Sequence, residues 1–460
     1  MRRRGFRVLL ACIAVGVAGC ATGTGAAPPS SSGAFKPDAQ LSGNLRVMGF
    51  GATDEIGSTR LDLAKAALSG VNVSLIEGKL DIQAFLSAVA AGDPPEIVYA
   101  NRDQIGTFAS RGAIMPLDDC IKGEGIDTSQ YLPPALAQVT FGRNVYAIPE
   151  FNSVEVTMAN AQLLKKAGVA MADVSGANWD AITAANKKLT QSAGGKLSVI
   201  GYDSKLPEFL PLWAKSNGAD LLSADGRKAQ LNDPKVVQAL TFAVGIYADQ
   251  GGFSKVKAFR DSADFFGKGN QFATNVLGAM PMEQWYVNVL NEMSPNATMS
   301  FDVFHAKDGN PMAFASGSAW AIPKGSKNAA AACRFAKTMT AVDSWMAAAK
   351  ARADARAKKK LLFTGLLTGN ATADKKIRDT YVKPSGTPTW DAAVAAVYTA
   401  NDRTFTLPAN PADAEFKTAW QDAVNRVLNG QQKPQAAMDE AQTQAQGVLD
   451  KAWADWDKKG

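Results

Sequence analysis

The chain is predicted to be an α/β protein with mostly parallel sheets, divided into two or three lobes. Two observations lead there. Short strand signals alternate with amphipathic helices, the pattern of parallel strands joined by crossover helices. The chain also runs to 460 residues, more than one hydrophobic core usually holds.

Taken in order, the first element is an export leader. Arg2, Arg3, Arg4 and Arg7 make a basic start, and Val8 to Gly19 a short apolar run, about half of the ~20 residues that span a bilayer. It ends in Val17-Ala18-Gly19-Cys20, small residues before a cysteine, as in a bacterial lipobox. Residues 1–19 therefore read as a lipoprotein signal peptide and Cys20 as the lipidated residue. Two or three acyl chains hold a protein stably at a membrane, where one does so only marginally. The competing reading is an ordinary signal peptide that happens to contain a cysteine. Residues 20–42 are rich in Ala, Gly, Pro, Ser and Thr, a flexible tether reaching on the order of 25 Å. No later run is long and apolar enough to span a membrane.

The leader carries four of the basic charges, so its removal takes the net charge from +6 to +2. No Lys/Arg stripe with interleaved aromatics is present, which argues against a nucleic-acid partner. The basic run Lys350 to Lys360 reads as a solvated helix face. Cys12 leaves with the leader, and Cys20 is assigned to lipid. Cys120 and Cys333 remain, an even pair compatible with a disulfide outside the cytoplasm or with two singly buried thiols.

Leu45 to Phe50 reads as a strand, followed by a helix with Leu61, Ala64 and Leu68 on one face. Val71, Val73 and Leu75 alternate as a second strand. Ile82, Phe85, Leu86 and Val89 fall at helical spacing, and Gly92-Asp93-Pro94-Pro95 stops that helix. Ile97 to Tyr99 is a third strand. In such a βαβαβ unit ligands bind at the carboxyl ends of the strands, which points to Gly51–Asp54 and Asn101. Farther on, Asn178 precedes a helix bearing Trp179, Ile182 and Leu189. Asp233-Pro234 caps a helix with Val237, Leu240, Val244 and Tyr247. Another helix follows Ser326, and two Ala-rich helices end the chain. There is no internal repeat.

Catalytic signatures are missing: no phosphate loop, dinucleotide fingerprint, HExxH or GxSxG. His305 is the only histidine and reads as a strand-edge or surface residue. One histidine and no clustered cysteines argue against a transition-metal site, and no cofactor is expected. No spacing singles out a carboxylate pair for glycoside hydrolysis. A sugar offers an apolar C–H face and a rim of hydroxyls, which aromatic rings and polar side chains match. Trp213, Trp285, Trp320, Trp390 and Tyr398 are the aromatic candidates. Trp179, Trp420 and Trp453 sit at helical positions and are assigned to packing.

Five blocks in order resemble the extracellular solute-binding proteins of ABC importers, of the maltose-binding and glycerol-phosphate-binding type. They are Phe85–Ala100 with Gly112–Asp118; Tyr146–Pro149 with Asn160 and Lys166–Val169; Asn178-Trp179-Asp180; Gly278-Ala279-Met280 with Trp285; and Ser316–Asn328. The sequence departs from the family pattern at Ala159, at Gln284 and through 351–383.

The resemblance implies a two-lobed periplasmic-binding-protein-like fold of the class II type, with crossovers near Phe151, Phe314 and Phe363. Lobe one is then 43–152 and 315–364, and lobe two 153–314 and 365–460, which puts Cys120 and Cys333 in one lobe. It implies a monomeric, non-enzymatic receptor that takes a mono- or oligosaccharide in a hinged cleft and delivers it to an ABC permease, held at the membrane by lipid on Cys20. Carried over residue by residue, Trp285 is the stacking residue and Glu283 a hydroxyl acceptor. Glu150 and Asn152 lie on the hinge side, Asp54 and Asn101 come from lobe one, and Gly317 and Ser318 bring backbone amides close. Trp213 and Trp320 complete the candidate ligand-binding set. Alternative readings are the same fold binding glycerol phosphate or a phosphodiester, a lipid-anchored glycan hydrolase, and an adhesin with a shut cleft.

Overall fold

The computed structural model describes residues 35–458. The signal peptide, Cys20 and the tether up to residue 34 lie outside the described residues. Residues 35–42, assigned to the tether, rest against the first lobe. Phe35, a large apolar side chain in an otherwise small-residue stretch, is buried in that lobe's core, and Arg334 donates to the carbonyl of Ala39 at 2.9 Å.

The N-terminal βαβαβ unit forms as its periodicity dictates. Strand Gly43–Met48 pairs in parallel with Val71–Ile76 on one side and Ile97–Asn101 on the other. Helices Glu55–Ala67 and Ile82–Ala90 link them. Each helix is started by an aspartate: Asp54 accepts from the Gly57 amide at 2.8 Å and Asp81 from Ala84 at 3.0 Å. Two later strands complete this sheet, Ser316–Ala321 beside Ile97–Asn101 and then Ile148–Ser153. Strand alternation divides the core between the faces: Ile97 and Trp320 belong to one apolar cluster, Val98 and Ala319 to another. On the first face the Cys120 and Cys333 sulfurs are bonded, with Cα atoms 5.8 Å apart, joining helices Asp118–Glu124 and Ala329–Thr340.

The second sheet runs Met299–Val303, Glu155–Asn160, Leu277–Glu283, Lys196–Tyr202, Gln191–Ala193. Helices Trp179–Leu189 and Pro388–Asn401 pack on it, and Pro234–Ala248 packs against the first of them, around one large apolar cluster. Both sheets are mixed where the sequence predicted mostly parallel ones. Ser316–Ala321 runs antiparallel to both neighbours, and in the second sheet only Leu277–Glu283 and Lys196–Tyr202 pair in parallel. Strands arriving from the other lobe need no crossover helix, so nothing forces a parallel direction on them.

The chain passes from one sheet to the other at Ser153–Glu155 and returns at Phe314–Ser316. Beyond Phe363, where a third passage is predicted, Leu366, Ala373 and Ile377 still pack with Ile56 and Trp345, and Trp390 is the first later tryptophan in the second lobe's core. Helices Asp413–Leu428 and Pro434–Asp457 pack on each other and on lobe two through Trp420, Val424 and Met438. The last helix also reaches back, placing Trp456 against Phe141 of lobe one at 4.3 Å between centroids. The basic run is only partly solvated: Arg356 is buried and bonds Asn291 at 3.0 Å, and Arg352 pairs with Asp54 at 2.7 Å.

Candidate functional site: the cleft between the lobes

Ile97–Asn101 and Ile148–Ser153 end, and Ser316–Ala321 begins, at the junction of the two sheets, where a buried hydrogen-bond chain ties the connections together. Arg102, directly after its strand, is 1 % exposed. It donates to Gln138 Oε1 at 3.0 Å, to the Phe151 carbonyl at 3.1 Å, to Asn152 Oδ1 at 2.7 Å and to the Ser316 carbonyl at 2.7 Å. Asn152 Nδ2 donates to Asn401 Oδ1 at 2.8 Å, and Asn401 Nδ2 to Asp374 at 3.1 Å. Burial lowers the Arg102 guanidinium to about 10 and raises the Asp374 carboxyl to about 7. Gly317 is required here by close approach: a Cβ at this position would meet the Phe151 carbonyl oxygen at 2.0 Å and the Arg102 guanidinium carbon at 2.8 Å.

Beside this hinge lies a cavity of about 330 Å3. Lobe one lines it with Asn101, Arg102, Asp103, Gln138, Gly317 and Ser318; lobe two with Glu155, Glu208, Phe209, Glu283 and the segment Leu407–Gln421. Its polar groups and flat rings (Phe209, Phe314, Phe416, Trp420) suit a solute with hydroxyls and apolar faces. Across it the lobes touch. Asp413 accepts from the Gly106 amide at 2.9 Å and the Thr107 amide at 3.1 Å, Lys417 pairs with Asp103 at 2.6 Å, and Arg111 pairs with Glu415. Burial holds the Asp413 carboxyl well above the usual range.

Four of the sequence-predicted residues line this cavity: Asn101, Glu283, Gly317 and Ser318. Trp285 does not. Half-buried, it stacks on Phe266 at 5.9 Å and donates its indole N–H to Glu283 at 2.9 Å. Asn152 sits behind the wall in the hinge network. Glu150 is fully buried in an ion pair with Arg60, whose guanidinium lies 3.7 Å from the Trp345 ring centroid. Asp54 is a helix cap. Trp213 and Trp320 are wholly buried in the two cores, the size and apolarity that made them candidates being also what a core selects. Trp390 and Tyr398 are buried in lobe two. His305 lies in a loop, bridged to Pro311. Gln284, where the family pattern has glycine, bonds both ways with the Val154 backbone.

Sequence reasoning missed Arg102, Glu155, Glu208, Asp413, Phe416 and Trp420. The signal for Glu155 was its place at the passage between lobes. Trp420, assigned to packing, is 1 % exposed and lines the cavity, and its indole N–H has no partner among the described residues. No group of His, Cys, Asp and Glu able to hold a metal ion occurs among the described residues.

The sequence profile of the bacterial extracellular solute-binding proteins matches residues 72–344. The chain belongs to that family. Among curated proteins no sequence matches it. Solved solute-binding proteins share the fold. An ABC substrate-binding protein from Listeria monocytogenes in complex with cycloalternan is 20% identical, with a TM-score of 0.70, over 89% of this chain and 100% of that one. A solute-binding protein from Thermotoga lettingae bound with α-D-tagatose is 21% identical, with a TM-score of 0.67, over 89% and 100%. The maltose/maltodextrin-binding domain from Bdellovibrio bacteriovorus bound to maltotriose is 17% identical, with a TM-score of 0.66, over 88% and 100%. In this solute-binding protein no described helix is long and apolar enough to cross a membrane.

Proposed function

We propose that this solute-binding protein captures a carbohydrate in the cleft between its lobes and hands it to an ABC permease. The observation that carries the reading is the cavity walled by both lobes. Asn101 and Ser318 on one side and Glu283 on the other offer hydroxyl partners, and Phe416 and Trp420 offer ring faces. The cycloalternan-, tagatose- and maltotriose-bound proteins of the same fold support the solute class. A ligand touching both walls favours the lobes together by its differential contacts, and the permease would read that state. The lipobox ending at Cys20 supports tethering at the outer face of the cell membrane. A phosphorylated polyol fits less well: Arg102 spends its N–H groups on protein oxygens and Lys417 is paired with Asp103. A thermal-shift screen of the purified protein against sugars and phosphopolyols tests the reading, since a bound solute raises apparent stability by mass action. A shift by sugars alone is expected, and a shift by phosphopolyols alone would overturn it.

A further inference from the structure

The cavity is acidic in a way that neutral sugars do not require. Five carboxyl side chains line it, those of Asp103, Glu155, Glu208, Glu283 and Asp413, against two cations, Arg102 and Lys417. Both cations are engaged by the protein. Lys417 Nζ lies 2.6 Å from Asp103, and the Arg102 guanidinium is turned into the hinge. Asp413 is taken up by the Gly106 and Thr107 amides of the other lobe. Among the described residues Glu155, Glu208 and Glu283 have no cationic partner.

Two of these three form a pair. Glu155 and Glu283 are register partners on adjacent antiparallel strands, where like charges repel. Glu155 is 2 % exposed. Among the described residues its only donor from another residue is the Phe314 amide at 2.8 Å, and Glu283 has the Trp285 indole at 2.9 Å. Those neutral donors orient the two carboxyls without offsetting their charge. Burial, reinforced by Glu283, pushes the Glu155 carboxyl well up. In the same cavity the buried indole N–H of Trp420 has no partner among the described residues and is a donor suited to a sugar oxygen.

We propose that the solute carries a protonated amine, an amino sugar or a glycan containing one, and that its ammonium group sits between Glu155 and Glu283. The proposal rests on the carbohydrate reading of this cleft and sharpens it. An ammonium donates to both carboxylates and supplies the missing positive charge, in a low-dielectric setting where such contacts are strong. Hydroxyls elsewhere on the ring meet Asn101, Ser318 and Trp420. An ammonium between them favours the charged form of both carboxyls, so whatever fraction of Glu155 is held protonated by burial and by Glu283 is released on capture of the cation and not on capture of a neutral sugar.

The test is calorimetric titration of the purified protein with matched sets: glucosamine, N-acetylglucosamine and glucose, the galactose and mannose equivalents, and the β-1,4-linked disaccharides of each glucose type. In at least one set the amine-bearing member binds tenfold or more tighter than its hydroxyl and N-acetyl counterparts. Repeating that titration in buffers of different ionisation enthalpy shows proton release. In Glu283→Gln the preference falls to within about twofold, and in Glu155→Gln the proton release disappears, circular dichroism confirming that each variant is folded. Equal or tighter binding of a neutral member, or a preference that survives in Glu283→Gln, overturns the amine while leaving the carbohydrate reading in place. Binding of no member of any set overturns both.

Discussion

Thr107 of lobe one and Asp413 of lobe two are joined twice, the Thr107 amide and the Thr107 hydroxyl both donating to Asp413 Oδ1. With the Gly106 amide on the other oxygen, a carboxylate on one lobe caps a helix on the other, at the edge of the cavity. The contact exists only while the lobes are together, the arrangement that a ligand touching both walls would favour.

Asp413→Ala is therefore expected to weaken solute binding. Loss of hydrogen bonds to a buried carboxyl costs about 1–3 kcal/mol, about 5- to 150-fold in Kd. Stopped-flow kinetics should show the change mainly in the dissociation rate. An unchanged dissociation rate would mean that the contact is not part of the bound state.

Glu150 and Arg60 are both fully buried. Glu150→Ala leaves a cation in the core without its partner, which costs about 3–5 kcal/mol of stability. Denaturant unfolding should report that loss. The ranking of solutes should not move, because Glu150 does not line the cavity.

Asp374 gives a pH dependence with a definite sign. Burial raises its carboxyl to about 7 in the folded chain, against about 3.9 when unfolded. Between those values the folded state binds the proton more tightly, so rising pH draws the balance toward the unfolded state. Stability contributed by this group falls from about pH 4 to about pH 7 and is level above. The melting temperature of Asp374→Asn relative to the parent protein should climb across that window and plateau beyond it.

The Cys120–Cys333 bond closes a long loop, with a sequence separation of 213. Its removal in Cys120→Ala/Cys333→Ala is expected to cost about 2–4 kcal/mol, read as a lower denaturant midpoint with a steeper slope, because the unfolded chain without the cross-link exposes more surface. An unchanged midpoint would show that the helices it joins hold together without it.

Much of the fold was legible in the sequence because it is written locally. The helical spacing of Ile82, Phe85, Leu86 and Val89, and the alternation of Val71, Val73 and Leu75, need only their own segment to be read. Strand direction was not legible in the same way. Ser316–Ala321 is antiparallel because of where the chain returns from, which no local pattern records. The site divides along the same line. Asn101, Gly317 and Ser318 sit at strand ends, where position alone argues for a cleft. Asp413, Phe416 and Trp420 reach the cavity from a helix near the end of the chain, and their helical spacing looks like packing. Glu150 and Glu283 both follow apolar strand residues, yet one is spent on Arg60 and the other faces the cavity. Only the fold brings Arg60 to the first and Glu155 to the second.

The most direct test of the central claim is isothermal titration of the purified protein with neutral and amine-bearing mono- and oligosaccharides, in parallel with an Asn101→Ala/Glu283→Ala variant. The account predicts saturable binding of at least one of them at one site per chain, weakened tenfold or more in the variant. Binding of no carbohydrate, or binding that the variant retains at full strength, would contradict it.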